Sequence, residues 1–547
     1  MKVALIQLNY IIGDFEGNAR KMIANIQKAK KEGADLAVFS ELSVTGYYPH
    51  DLLEKKEFIQ KAEKAVEEIA KECHGIAAIV GAPRINENER GKRLFNSALF
   101  LTDGKIQSAH HKTLLPTYDI FDEYRHFEPN RDFDVVEYKG EKIAVTICED
   151  LWDEQPTANE FGKDKLYQVS PMEKLSKFQP DFVVNISASP FSYNQENWRK
   201  DILISKAKKY EVPIFYVNQT GAQTELIFDG GSVYIDKQGR IVKELKYFEE
   251  DFLIVDTQNP GETNLQPETD RIEKIHDALV LGIRDYFGKM GFSQATLGLS
   301  GGIDSAVTAV LAVEALGKEN VRVLLMPSKY SSGHSVDDAK QLAENLGIQY
   351  DIVKIQSAVD EFEQELVPLF EGTESGVAEE NIQARARGIF VMGISNKFGH
   401  ILLNTTNKSE CAVGYGTLYG DMNGGLAVLG DVYKTDVFKM ARFMNRQGEI
   451  IPENSITKPP SAELRPDQKD TDSLPEYSVL DEILFRFIEL NQSPQEIIAK
   501  GFNEKEVNRV IRMVNVNEYK RFQAAPILRV SSKAFGFGRK MPLVARY

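Results

Sequence analysis

The run LGLSGGIDSA at 297–306 sets two hydroxyls, two adjacent glycines and one carboxylate between an apolar strand-like start and an apolar helix-like end. A helix start leaves several backbone N–H groups without partners and carries the positive end of the helix dipole, so it suits an anion. Gly301 and Gly302 let the main chain approach phosphate oxygens without a Cβ in the way, Ser300 and Ser305 can donate hydroxyl hydrogen bonds, and Asp304 can hold a metal. No lysine occurs from Leu297 to Ala312, which disfavours a Walker-type loop and transfer of a γ phosphate. A tight strand-to-helix turn without chemistry is the plainer reading, but it requires fewer of these residues.

A second set stands at strand ends in the first half: Glu41 after ADLAVFS, Lys112 after the strand ending at His111, and Cys148 in KIAVTICEDLW. A thiol attacking an amide needs a base for its proton, a cation or N–H donors for the oxyanion, and an acid for the departing ammonia. Glu, Lys and Cys supply that set without histidine. Singly, each has a bland reading as core thiol, solvated carboxylate or stray ammonium. Glu149 and Asp150 should raise the thiol's pKa, so a cation such as Lys112 has to sit nearby.

The elements that must position these residues are legible from periodicity. KVALIQLNY reads as a buried strand, GNARKMIANIQKAKKEG as an amphipathic helix, and strands and helices then alternate. Hairpins at Asp103-Gly104 and Lys139-Gly140 interrupt the rhythm, so the sheets of the first half should be mixed. A stretch rich in Pro, Gly, Asn and Thr, NPGETNLQPET, marks a boundary, giving one domain at 1–257, a linker at 258–269 and a second domain at 270–547. Beyond it, strands alternate with helices at crossover length, which predicts a doubly wound parallel sheet with ligands beyond the carboxyl ends of its strands. The loop after Leu297, Pro327-Ser328 and Thr405 fall at such ends. The segment PPSAELRPDQKDTDSLPEY is poor in apolar residues and reads as a loop that orders when substrates bind, and the tail carries Arg529, Lys533, Arg539, Lys540 and Arg546. Those cations read either as a solvated tail or as a basic lip near phosphates.

The chain has 547 residues, a formal charge of −15 and three cysteines. That charge argues against broad nucleic-acid or membrane-surface binding, and the odd, sparse cysteines fit a reducing compartment rather than a disulfide framework. With neither a leader pattern nor a long apolar run, the sequence reads as a cytoplasmic enzyme.

The string SGGIDS resembles the pyrophosphate loop of the N-type ATP pyrophosphatases. The resemblance implies that Gly298, Leu299, Ser300, Gly301, Gly302, Ile303, Asp304 and Ser305 grip the leaving pyrophosphate of ATP while a substrate oxygen attacks the α phosphorus. The contexts FSELSVTGY, HHKTLLPTYDIFDE and ICEDLW resemble the nitrilase superfamily across most of the first 257 residues. That likeness implies an α-β-β-α sandwich in which Glu41 is the general base, Lys112 the stabiliser of the tetrahedral intermediate and Cys148 the nucleophile. Glu123 would position the site, and with Tyr118, Glu149, Ser187, Ser189 and Arg199 would bind a glutamine amide. A bare helix-start reading of SASPF and NWR accounts for the last three nearly as well.

The stretch NTTNKSECAVGYGTLYGDMNGGLAVLGDVYKTDVF resembles NAD synthetases, and the whole chain resembles the glutamine-dependent members of that family. In their pattern Thr405, Lys434 and Ser461 contact ATP, and Asp304 with Glu410 holds Mg²⁺. Asn381, Arg385, Glu410, Asp421, Arg529 and Lys533 would then meet deamido-NAD, with Arg387 on the same helix as Arg385; a solvated helix face is the rival reading for those two arginines. Relatives often carry Lys near the position of Arg529. The implied reaction is ATP-dependent amidation of deamido-NAD with ammonia from glutamine, through an adenylated intermediate and a sequestered tunnel, by a homo-oligomer. Rival readings are a tRNA-modifying enzyme, an enzyme amidating a different carboxylate, and a non-catalytic scaffold.

Overall fold

The structure is a computed structural model and describes residues 1–154, 166–466 and 468–545. Arg546 of the basic tail lies outside the described residues. The chain divides into two compact units, Met1–Glu268 and Thr269–Tyr547.

In the first unit, alternation along each strand builds four layers. One six-stranded sheet runs in the order Asp251–Asp256, Lys2–Gln7, Leu36–Val38, Ala77–Ile85, Leu94–Thr102 and Lys105–His111. The other runs Ile241–Glu244, Val233–Ile235, Ile214–Asn218, Phe182–Ser187, Glu141–Ile147 and Val136–Tyr138. Both are mixed, with parallel pairs at their centres and antiparallel pairs at their edges. Val3 and Leu5 face Val145, Phe182 and Val184 of the other sheet, whereas their neighbours Ala4 and Ile6 face the helices Phe15–Lys31 and Lys56–Lys71. On the far side, Val183 and Ile214 pack against Leu203 and Ala207 of the helix Gln195–Tyr210. A period of two on strands whose faces are both apolar requires this sandwich. The hairpins turn where expected, with Asp103, Gly104, Lys139 and Gly140 all at positive φ.

The second unit holds a wholly parallel sheet ordered Gln349–Ile352, Val321–Leu325, Ala295–Gly298, Ile401–Asn404 and Leu426–Ala427. The chain leaves Ala295–Gly298 toward one edge but leaves Ile401–Asn404 toward the other. Right-handed crossovers running in the two directions put helices on both faces of the sheet, and the loops after these two adjacent strands part to leave a crevice. The helix Arg271–Met290 opens on an Asp270 cap and stops at Gly291, as its composition predicts.

Candidate functional site

In the first unit, the backbone after strand Glu141–Ile147 bends sharply into a 3₁₀ turn whose first residue, Cys148, has φ +43°. Asp150 fixes that turn. Its Oδ2 accepts the Ile147 N–H at 3.0 Å, and its Oδ1 accepts those of Thr113 and Leu114 at 2.9 Å each, which ties the segment carrying Lys112 to the cysteine turn. Lys112 is fully buried; its Nζ donates to Glu41 Oε1 at 2.7 Å and to Glu123 Oε1 at 2.8 Å. Asn96 Nδ2 donates to the same Glu41 oxygen at 2.7 Å, the Ala188 N–H donates to Glu41 Oε2 at 3.0 Å, and Tyr47 Oη donates to Glu123 at 2.8 Å.

Burial is the leading cause that pushes the Cys148 thiol well above its ordinary range, and the Glu41 charge adds to it while Lys112 opposes it. Glu149 raises the thiol as its sequence position predicts, though less than burial and Glu41 do, whereas Asp150 is engaged by backbone N–H groups. Burial works to discharge Lys112, but Glu123 and Glu41 outweigh it and keep the ammonium well above its usual value. A neutral thiol beside an ammonium held between two carboxylates can lose its proton to a base and gain a cation for the oxyanion.

The residues expected from the sequence to bind glutamine differ in how they are engaged. Glu149 is buried and its Oε1 accepts from Tyr118 Oη at 2.8 Å and Tyr167 Oη at 2.9 Å. Ser187 and Ser189 are buried on either side of Ala188, where Ser187 Oγ donates to Asn185 and the Ser189 N–H to Asn218. Arg199 points both terminal nitrogens at the Asp229 carboxylate, at 2.9 and 2.7 Å, inside the protein. Tyr47, Asn96 and Tyr167 escaped sequence reasoning; only Asn96, a lone amide in the apolar strand Leu94–Thr102, left a signal.

In the second unit, a cavity of about 320 Å³ opens at the parted loops. Gly298, Leu299, Ser300, Gly302, Ile303, Asp304, Ser305, Thr405, Glu410, Asp421, Lys434 and Ser461 all line it. Gly301 does not line it, and the reason given for it changes: its φ is +81° and a Cβ there would meet Ser335 O at 2.1 Å, so the glycine permits the turn rather than the ligand. Gly302 caps the helix Ile303–Leu316 without any side-chain cap, leaving its start open to an anion. Ser300 and Ser305 hydroxyls lie 3.1 Å apart and brace the loop.

Lys434 Nζ reaches Asp304 Oδ2 at 2.5 Å and Glu410 Oε1 at 3.4 Å, and Asn407 Nδ2 donates to Asp304 Oδ1 at 2.9 Å. Burial and then the Asp304 charge push Glu410 up to about 8, with Lys434 opposing. Arg387 lines the cavity too, its Nε donating to Met326 O at 3.2 Å, which removes the solvated-face reading for it. Asn381, Arg385, Arg529 and Lys533 stand outside the cavity wall; Asn381 accepts from Thr417, whose N–H in turn holds Asp421. Of the 459–477 segment, residues 459–464 and Asp470 line one side, with Glu463 accepting from Ser332 and Ser335 hydroxyls and Leu464 O accepting from Gln383, while Asp467 lies outside the described residues.

The two units match two family models: carbon-nitrogen hydrolase over residues 2–263 and NAD synthase over residues 275–524. A glutamine-dependent NAD(+) synthetase of Synechocystis is 47% identical, with 100% of this chain and 99% of that protein covered. The chain belongs to the glutamine-dependent NAD(+) synthetase family. The Acinetobacter baylyi member is 43% identical over 99% of this chain and 98% of its own length. The solved Acinetobacter baumannii enzyme, in complex with adenosine diphosphate, is 40% identical, covers 99% of this chain and 98% of its own, and superposes with a TM-score of 0.78. Among the described residues no helix is long and apolar enough to cross a membrane.

Proposed function

We propose that this chain is a ligase that amidates deamido-NAD to NAD with ammonia taken from glutamine, consuming ATP and giving AMP, pyrophosphate and glutamate. The observation that carries the reading is one chain holding both a Cys148 turn beside the Glu41–Lys112–Glu123 cluster and a phosphate-type helix start beside Asp304, Glu410 and Lys434. Modification of tRNA or amidation of another carboxylate is not favoured, because the full-length relatives share the NAD(+) synthetase name.

In the first unit, Glu41 takes the Cys148 proton as sulfur attacks the glutamine carboxamide, and Lys112 stabilises the oxyanion. Collapse breaks the C–N bond, ammonia leaves with the proton held by Glu41, and water hydrolyses the thioester to glutamate. Tyr118, Glu149, Ser187, Ser189 and Arg199 shape the glutamine pocket, Arg199 through its clasp on Asp229.

In the second unit, the open start of helix Ile303–Leu316 receives the departing pyrophosphate while the deamido-NAD carboxylate attacks the α phosphorus. Ammonia then attacks the acyl carbon and AMP leaves. Thr405, Lys434 and Ser461 face ATP; Asn381, Arg385, Asp421, Arg529 and Lys533 serve the dinucleotide. Asp304 and Glu410 suit Mg²⁺, since they bring hard oxygen donors to one point, and a bound cation would favour the ionised Glu410 that burial and the Asp304 charge disfavour. Bound with ATP, that ion would neutralise charge on the phosphates. A cytoplasmic, self-associating enzyme completes the reading, and three buried free cysteines suit a reducing compartment.

The test separates the nitrogen sources. Cys148→Ala should abolish NAD synthesis from glutamine and leave synthesis from added ammonium, whereas equal loss of both would refute separate sites.

A further inference from the structure

Outside both reaction sites, one side-chain cluster serves neither. Asp51 and Glu54 stand on the 3₁₀ turn His50–Glu54 with exposed carboxylates, and His126 follows the turn Glu123–Arg125 with only 5% of its side chain exposed. His126 Nε2 lies 3.4 Å from Asp51 Oδ1 and 3.8 Å from Glu54 Oε1, yet it has no hydrogen-bond partner. A buried ring nitrogen is thus aimed at two carboxylates that do not satisfy it.

Tyr48 occupies the ring's other nitrogen. Its Oη is 2.7 Å from His126 Nδ1 and donates to Asp122 O at 3.3 Å. In the tautomer with its proton on Nδ1, the ring donates to that hydroxyl and Nε2 presents its lone pair to the carboxylate oxygens. Nε2 and one oxygen from each carboxylate lie within 4.8 Å of one another, which brings three ligand atoms to one point. Arg125 supplies charge at the rim, 3.0 Å from Asp51 and 3.9 Å from Glu54, but it is half exposed and gives Nε2 no hydrogen bond.

We propose that Asp51, Glu54 and His126 form a binding site for one divalent transition-metal cation of the zinc class. An imidazole with two carboxylates favours zinc, cobalt or nickel over magnesium and calcium, which prefer oxygen alone. A 3.4 Å separation of two donor atoms fits neighbours around an ion at about 2.0–2.2 Å from each. The Tyr48 hydroxyl on Nδ1 is the outer partner that a metal-bound histidine ordinarily has. Arg125 competes with the ion and swings into solvent when it binds. The turn preceding His126 carries Glu123, so the ion would staple the His50–Glu54 turn to the segment that holds Lys112.

The test is a Co²⁺ titration of the full chain in a Cys148→Ala background, which removes the reactive thiol as a ligand, with excess Mg²⁺ to fill the oxygen site. The expected result is one Co²⁺ per chain with visible absorption bands that Zn²⁺ displaces. Asp51→Asn and His126→Gln should each weaken binding at least about tenfold, and Arg125→Gln should tighten it. Asp51 is exposed, so its variant decides the matter even if His126→Gln is poorly folded. Absence of binding, or unchanged affinity in Asp51→Asn, overturns the proposal.

Discussion

Removing the Tyr47 hydroxyl should move the pH dependence of glutamine hydrolysis in a direction and by an amount that the structure fixes. Tyr47 Oη donates to Glu123 Oε1 at 2.8 Å, the oxygen that also takes Lys112 Nζ at 2.8 Å. Burial pushes Glu123 up to about 7, while Lys112 and Tyr47 pull it down and Glu41 works with burial. The Tyr47 bond favours the ionised carboxylate, so Tyr47→Phe raises Glu123 further. A hydrogen bond to a charged group is worth about 1.5–3 kcal/mol, and one pKa unit corresponds to about 1.36 kcal/mol, so the rise is about 1–2 units. At neutral pH Glu123 is then protonated, and Lys112 keeps Glu41 as its anionic partner but loses Glu123. The assay is kcat/KM for glutamate release against pH. Its acidic limb should shift upward by about 1–2 units, while synthesis of NAD from ammonium keeps the wild-type profile. A limb that stays in place or moves to lower pH refutes the role given to Glu123 as an ionised partner of Lys112.

Two further substitutions probe the second unit. Gly301→Ala places a Cβ 2.1 Å from Ser335 O at a φ of +81°, so it should lower NAD synthesis from glutamine and from ammonium alike. The loss should be about 100-fold, the cost of roughly 1 Å of misplacement, with glutamine hydrolysis retained in a direct glutamate assay. Lys408 is fully buried with Nζ 2.9 Å from Asp431, 2.8 Å from Glu489 and 2.7 Å from Ser531 Oγ. Lys408→Met leaves two buried carboxylates without their cation and should cost about 3–5 kcal/mol in urea unfolding; a change below about 1 kcal/mol would show the carboxylates are satisfied otherwise.

Much of the site was readable because its chemistry demands particular residue types at strand ends. The hairpin glycines, the helix caps at Asp270 and Gly291, and the positions of Cys148 and the SGGIDS loop follow from local periodicity and turn chemistry. Other parts were not readable. Asp150 looked like a charge beside the thiol, but it is a bracket for three backbone N–H groups, because its side chain meets Thr113 and Leu114 across 36 or more positions of sequence. Arg199 looked like a substrate cation, yet Asp229 holds it from 30 residues away.

By itself the sequence determined the two α/β units and the residue types able to perform thiol and adenylate chemistry, and it pointed to a linker at 258–269 between the units. Alternation and turn residues act over a few positions, and that range suffices for elements and for strand-end motifs. Only the tertiary structure decided that one ammonium, Lys112, lies between Glu41 and Glu123, and that Lys434 lies between Asp304 and Glu410. Each of those ion clusters joins residues from separate segments, and electrostatics in a dry interior depends on distance in space, which sequence order does not carry.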